Sequence, residues 1–428
     1  MVSQVQFYVN GVHSVGGVTT WSFQAASFMA RRYRTQVVTV NTERQAGDNL
    51  FPGKVKEVWR NTSGAKQATA EEEGGAGREL PTKPTKPTKR PKKVRKPTKP
   101  TKPTKPTKKP IEPPPPPRET ELPQQLHRSA EEAIHDAGLF IPNYLDFAYE
   151  LAARSRAQGN ASRCIGICHC DQDNYYRLLT RYAPIIHSFV AVSPRCMQTL
   201  IQRLPDREAD IHLVPYGVVP PSVEPGQRPG GPIRLLYSGR LSQRQKRIFD
   251  LVEIVRELDS IGVDYVLDVV GVGPDRDALV DALSNAPRVQ FHPGVTHREI
   301  TQVYDDHDVF LLPSETEGTS IALLESMAHG LVPIATRVSG SEDLIQDEKN
   351  GFLCEVGDVS RMALCVARLA DNELMRMRFA CQAQEVVRQG YRLETQLEAF
   401  EECVQQTLDK PLVNVEVAQS VLDHECRV

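Results

Sequence analysis

Glu317, Glu325, Arg240 and Lys246 form the chemical pattern that most constrains this 428-residue chain. In ETEGTSIALLESMAHG, Glu317 and Glu325 are separated by seven residues. The apolar VFLLPS precedes them, so the first falls on a loop and the second about two turns into the following helix. Gly318, Thr319 and Ser320 open that helix, and the N–H groups of its first turn suit a phosphate or a developing negative charge. An ionised glutamate only accepts hydrogen bonds, so a carboxylate on either side suits hydroxyl groups. Taken alone, the pair also fits a loop charge and an exposed helix residue. Arg240 and Lys246 follow the strand-like IRLLYSG in SGRLSQRQKR. Arginine offers a planar bidentate fork and lysine a point charge, a pair suited to phosphate oxygens. A solvated basic loop, with Arg244 and Arg247 nearby, accounts more readily for one of these cations than for both.

A second cluster is CIGICHCDQD (164–173), with three cysteines and a histidine within seven positions and an Asp-x-Asp at its end. Alternate residues of a strand face opposite sides. Cys164, Gly166, Cys168 and Cys170 then share one face, and Ile165, Ile167 and His169 the other. A tetrahedral zinc site needs four convergent ligands, and no distant CxxC or HxxxH completes one. No metal site is assigned, and the cysteines read as small buried apolar residues. Asp171 and Asp173 fit the start of the next helix, where carboxylates suit the dipole, with Asp173 as its N-cap. His169 ends the strand and is expected to face a ligand cleft, with a satisfied structural histidine as the alternative.

The elements around these residues alternate between strand and helix. VQFYVN runs through GVHSVGGVTTW into the helix SFQAASFMARRY, and TQVVTVNT follows as a strand. A helix is predicted over 142–159, then the strand CIGICHC, a helix from YYRLLTRYAP, the strand SFVAVS, a helix over PRCMQTLIQRL and the strand IHLVPYGV. PPSVEPGQRPGGP is a Pro/Gly-rich hinge. A second alternation begins at IRLLYSG and runs through YVLDVVG, VQFHPG and VFLLPS to VPIAT. Such spacing implies parallel sheets with right-handed crossovers. The expected architecture is two facing Rossmann-like, doubly wound α/β domains with a cleft between them. The first spans 1–218, the hinge 219–231 and the second 232–388; a helix over 389–410 returns to the first domain, and 411–428 is a tail.

Charge is unevenly placed. Pro81 to Pro110 holds thirteen Lys/Arg and no acid; removing them from a net charge of −2 leaves about −15 for the rest. Thr-Lys-Pro triplets lack an N–H at every third residue and cannot sustain a helix or a sheet ladder. Residues 62–124 are therefore read as a disordered insertion. It is either a tolerated loop expansion or a tract that adheres to an anionic membrane, polysaccharide or nucleic acid. The N-terminus lacks a signal-peptide pattern, no apolar run is long enough to span a bilayer, and the nine cysteines fit reduced thiols. These features lead to the expectation of a cytoplasmic protein, peripheral to the inner face of a membrane if the tract binds there, with no specific nucleic acid partner.

LLYSGRLSQRQKR, VVGVGPDRDAL, VQFHPGV, VFLLPSETEGTSIALLESMAHGLVPIAT and VSGSEDLIQDEKNGFLCEVGD occur in order over 233–357. This half resembles the retaining glycosyltransferases of family four, with the GT-B fold; NGVHSVGGVTTW and IHLVPYGV extend the likeness more loosely into the first half. The resemblance implies transfer of a glycosyl group from a nucleotide-diphosphate sugar to a hydroxyl acceptor, with retention and without a metal or other cofactor. Arg240 and Lys246 would hold the donor diphosphate, Glu317 the donor-sugar hydroxyls, amides around Gly318, Thr319 and Ser320 the sugar or phosphate, and Glu325 the ribose. Gly16 and Gly17 would let the N-terminal loop approach the diphosphate. Val289 and Phe291 would border the base, and His169 or its carbonyl would lie near the reacting sugar. Asp171 and Asp173 resemble the Asp-x-Asp that holds a divalent ion in the other large glycosyltransferase fold, but cations already serve that purpose here. A nucleotide-sugar epimerase or a phosphorylase on the same fold, and an inactive binding protein, are the alternatives.

Overall fold

The computed structural model describes residues 4–10, 17–41, 54–59, 137–221, 230–295 and 297–425. Gly16, the insertion at 62–124 and residues 222–229 of the hinge lie outside the described residues.

The first half is a seven-stranded sheet in the order β3-β2-β1-β4-β5-β6-β7. Its strands are β1 (Gln4–Asn10), β2 (Arg34–Asn41), β3 (Lys54–Trp59), β4 (Ala137–Ile141), β5 (Arg163–Cys168), β6 (Ser188–Ala191) and β7 (Ile211–Leu213). The second half is a six-stranded sheet in the order β10-β9-β8-β11-β12-β13. It comprises β8 (Ile233–Ser238), β9 (Tyr265–Val270), β10 (Val289–His292), β11 (Val309–Leu312), β12 (Val332–Thr336) and β13 (Phe352–Cys354). Every pairing in both sheets is parallel. Parallel strands are covered on both faces, which is why IGIC, FVA and VFLL read as unbroken apolar runs and are buried. The strand order reverses between β1 and β4 and again between β8 and β11. Open α/β sheets bind ligands at such points, beyond the strands' carboxyl ends.

One buried cluster joins the halves, from Val5, Phe7, Ile165 and Val190 to Leu236, Phe310 and Leu324. The helix Leu393–Asp409 contributes Phe400 and Val404 to it, and Phe400 meets Trp21 edge-on at 5.0 Å. The chain returns to the first half through a short pairing, with Leu393 N donating to Val218 O at 2.8 Å. Lys410 then ties down the helix end on Asp210 at 2.7 Å.

Three local expectations change. The helix predicted from 142 begins at Asp146, because Asn143 adopts a left-handed backbone (φ 56°), a conformation asparagine tolerates. Residues after 411 include a helix, Val415–Glu425, whose Ala418 and Val421 are buried; their three-residue spacing puts them on one face. Asp173 is the first residue of its helix rather than the cap, which is Gln172.

Candidate functional site

The carboxyl ends of the central strands converge on the segment 314–320. Glu317 follows β11 and is only 4% exposed. Such a charge needs partners, and it has two: Lys246 Nζ and Ser314 Oγ both donate to Oε1 at 2.6 Å. Ser314 is itself held by its carbonyl, which accepts from Thr336 Oγ1 at 2.6 Å. Lys246 ends the short helix Gln243–Lys246 after β8. Arg240, between β8 and that helix, is exposed, and Tyr237 OH donates to its carbonyl at 2.9 Å. Sequence spacing therefore brought Lys246 and Glu317 into direct contact from positions 71 residues apart.

Ser320 caps the helix Ile321–Ala328, its Oγ accepting from Leu323 N. Glu325, one turn further, is half-buried, and Tyr304 OH donates to its Oε2 at 3.1 Å. Gly17 opens the helix Gly17–Met29 directly opposite: a Cβ on it would come within 3.3 Å of Ile321 Cδ1. Two helix N-termini from different halves thus face one another. Each carries about half a positive charge and a set of unsatisfied N–H groups.

The halves also touch through polar contacts. Asp171 N donates to Glu317 O at 3.0 Å, Gln172 Nε2 to Thr316 Oγ1 at 2.6 Å, and Thr319 Oγ1 to Val192 O. Ser193 and Ser339 share a 2.7 Å hydrogen bond. Gly318 lies so close to His169 that a Cβ would stand 2.3 Å from the His169 carbonyl oxygen.

His169 corrects the expectation for its side chain. The ring is 4% exposed and turned into the first half, among Trp21, Tyr144, Tyr175 and Tyr216. Asn143 fixes its tautomer: the amide nitrogen donates to Tyr8 O at 2.7 Å, so Oδ1 accepts from Nε2–H at 2.9 Å. Nδ1 then accepts from Tyr216 OH. Both ring nitrogens are engaged, and burial lowers the pKa to about 3. What His169 presents to the second half is its backbone carbonyl, beside Gly318. An unfolded histidine would titrate near its ordinary value of about 6.5. Its contribution to stability is therefore complete above that pH and lost as pH falls toward 3. A His169→Gln variant is expected to show a shallower loss of urea midpoint between pH 6.5 and 4 than the parent; an equal slope would remove His169 as a source of acid sensitivity.

The remaining expectations separate. Cys164, Cys168 and Cys170 are free, buried thiols, while Ile165 and Ile167 enter the joint core, as the strand alternation implies. Asp171 accepts from Tyr176 OH at 2.6 Å. Asp173 pairs with Arg203 at 2.7 Å and Arg177 at 3.0 Å. Among the described residues no cluster of three His, Cys, Asp or Glu side chains is arranged to hold a metal ion. Val289 and Phe291, on the edge strand β10, are half-buried and pack against the core of the second half. Sequence reading missed Ser314, Thr316, Gln172 and Tyr304. Thr316, Gln172 and Tyr304 act through contacts across the cleft or between elements, Ser314 acts on Glu317 three residues on in the same loop, and no short motif marks any of them.

Residues 221–386 match the family model described as glycosyl transferases group 1. The N-acetyl-alpha-D-glucosaminyl L-malate synthase of Bacillus anthracis is 31% identical over 162 residues, 37% of this chain and 42% of that protein. The amylovoran biosynthesis glycosyltransferase AmsK of Erwinia amylovora is 31% identical over 154 residues, 33% of this chain and 37% of that one. The matched stretch therefore spans well under half the length of these curated relatives. Among solved structures, Anabaena Alr3699/HepE in complex with UDP-glucose superposes with a TM-score of 0.65 at 13% identity, over 94% of this chain and 99% of that one. The pneumococcal O-GlcNAc transferase GtfA in complex with UDP and GlcNAc gives 0.58 at 17% identity, over 67% and 60%.

Proposed function

We propose that the protein, whose residues 221–386 match the model of the group 1 glycosyl transferases and whose fold is GT-B, transfers a sugar from a nucleotide-diphosphate donor to a hydroxyl acceptor with retention at the anomeric carbon. One observation carries this reading: Lys246 and Glu317 are paired beside two facing helix N-termini, where strand ends of the two halves meet.

The chemistry needs a leaving diphosphate stabilised as the bond from the sugar's anomeric carbon breaks. Arg240, Lys246 and the helix N-termini supply fixed positive charge where that negative charge develops, which costs no reorganisation at the moment of reaction. Glu317, held by Lys246 and Ser314, accepts from donor-sugar hydroxyls, and Glu325 accepts from the ribose. The acceptor hydroxyl approaches from the face the diphosphate leaves, which retains configuration, and the enzyme's task is mainly positioning. The cations at the diphosphate make a metal unnecessary in this reading. Solved relatives in this fold are described with UDP, UDP-glucose or GlcNAc bound, which supports a nucleotide sugar here and, with the name of AmsK, a saccharide acceptor.

Among the described residues no helix is long and apolar enough to cross a membrane. We place the enzyme in the cytoplasm, with the thirteen cations of 81–110 drawing it to an anionic membrane surface through long-range attraction.

Thermal stabilisation by UDP, GDP and ADP, with EDTA present, tests the donor site. A ligand that binds only the native state stabilises it by roughly 2.7 kcal/mol at a hundred times its Kd. One nucleotide is expected to raise the melting temperature by several degrees. No shift with any of the three would favour the inactive binding protein.

A further inference from the structure

The donor reading gives no task to the buried Tyr304. Tyr304, in the helix His297–Asp305, is 1% exposed, edge-on to Phe310 and tilted over His329. Phenylalanine would fill the same space without a hydroxyl to satisfy, and a hydroxyl buried without a hydrogen bond is costly. Here it is satisfied: it donates to Glu325 Oε2 at 3.1 Å.

The two residues lie on different elements: Tyr304 on the helix His297–Asp305 and Glu325 on the helix Ile321–Ala328. The hydroxyl therefore ties the carboxylate assigned to the ribose to a buried ring on a second element. The ring is wedged by its neighbours, so the carboxylate it holds has little rotational freedom. An untethered glutamate would lose that freedom on binding, which weakens affinity. Burial raises the phenol well above its ordinary pKa, so Tyr304 remains a donor to Glu325 at any working pH.

We infer that Tyr304 is a positioning residue that presets Glu325 for the paired ribose hydroxyls of a ribonucleotide, and that the site thereby discriminates ribo- from dideoxyribonucleotides. This rests on the donor-site reading above.

Calorimetric titration with UDP, ADP and GDP, each beside its 2′,3′-dideoxy counterpart, tests it in wild type, Tyr304→Phe, Glu325→Gln and the double variant. For whichever nucleotide binds, Tyr304→Phe is expected to weaken the ribonucleotide about tenfold, the scale of a hydrogen bond to a charged group, and to leave the dideoxy form unchanged. In the Glu325→Gln background it should cost nothing further. Equal weakening of both forms, or no weakening of the ribonucleotide, overturns the positioning role while leaving the donor site standing. Wild-type protein that binds none of the three nucleotides overturns the donor reading, and this inference with it.

Discussion

Lys246→Ala and Arg240→Ala are each expected to slow turnover by on the order of 10²-fold, read as nucleotide release from sugar donors of the nucleotide that the thermal screen identifies. The magnitude is that of removing one preorganised group from the charge that develops on a leaving group. The two variants differ in what else they disturb. Arg240 is exposed, and no ion pair holds its guanidinium among the described residues, so Arg240→Ala should leave the melting temperature near that of the parent. Lys246 is the cation of a largely buried pair, and its loss leaves Glu317 with Ser314 alone. Removing one partner of such a pair destabilises by several kcal/mol, on the order of 3–5, so part of the kinetic loss in Lys246→Ala could come from a displaced Glu317. The double variant Lys246→Met/Glu317→Gln separates the effects, because a neutral pair needs no compensation. It should recover most of the lost stability and none of the turnover. Wild-type rates in both single variants would remove the cations from the chemistry. Recovery of turnover in the double variant would show that the pair is structural.

How far the sequence foretold this site depends on the range of the contacts. Glu317, Ser320 and Glu325 were legible because they share one strand–loop–helix unit, where the turn from β11 into the helix follows from local pattern alone. Lys246 was legible because it follows a strand end, and strand ends of parallel sheets share one side. The direction of the His169 ring was not. Strand alternation put it correctly opposite the cysteines, but Asn143 and Tyr216, which hold the ring inward, lie 26 and 47 residues away. β3 and β4 also escaped the reading. Each is short and adjoins the stretch that composition separates from the fold, and β4 is recognisable chiefly by its pairing between β1 and β5. The helix Val415–Glu425 was hidden by its weak pattern of buried positions, and it is held in place by packing rather than by propensity.

The second large effect is expected at two glycines that carry no side-chain chemistry. Gly340 has φ +78°, a left-handed backbone that costs a residue with a Cβ roughly 1–2 kcal/mol. An added Cβ would also lie 1.6 Å from the Gly318 carbonyl oxygen and 3.0 Å from Thr319 Cα. Backbone cannot yield as a side-chain tip can, so Gly340→Ala must push residues 318 and 319 aside. They have nowhere to go, because Gly318 already abuts the His169 carbonyl. The expected result is a loss of stability on the order of 3 kcal/mol or more, together with loss of turnover, since the displaced residues sit between Glu317 and the capped helix. Gly318→Ala should behave differently. Its Cβ would meet the His169 oxygen at 2.3 Å and Val192 Cγ2 at 2.9 Å, both in the first half, so the strain falls on the junction between the halves. Glu325 and Tyr304 lie wholly in the second half and should keep most of their hold on the nucleotide. Gly318→Ala is thus expected to lower kcat at least tenfold, because a displacement of about 1 Å at a reacting site costs on that order or more, with little change in nucleotide Kd. If Gly318→Ala turned over at the parent rate, the close approach of Gly318 to His169 would have no part in assembling the site. If it instead lost nucleotide affinity in step with kcat, the strain would have been relieved inside the second half, and the junction would not be what aligns the donor with the acceptor.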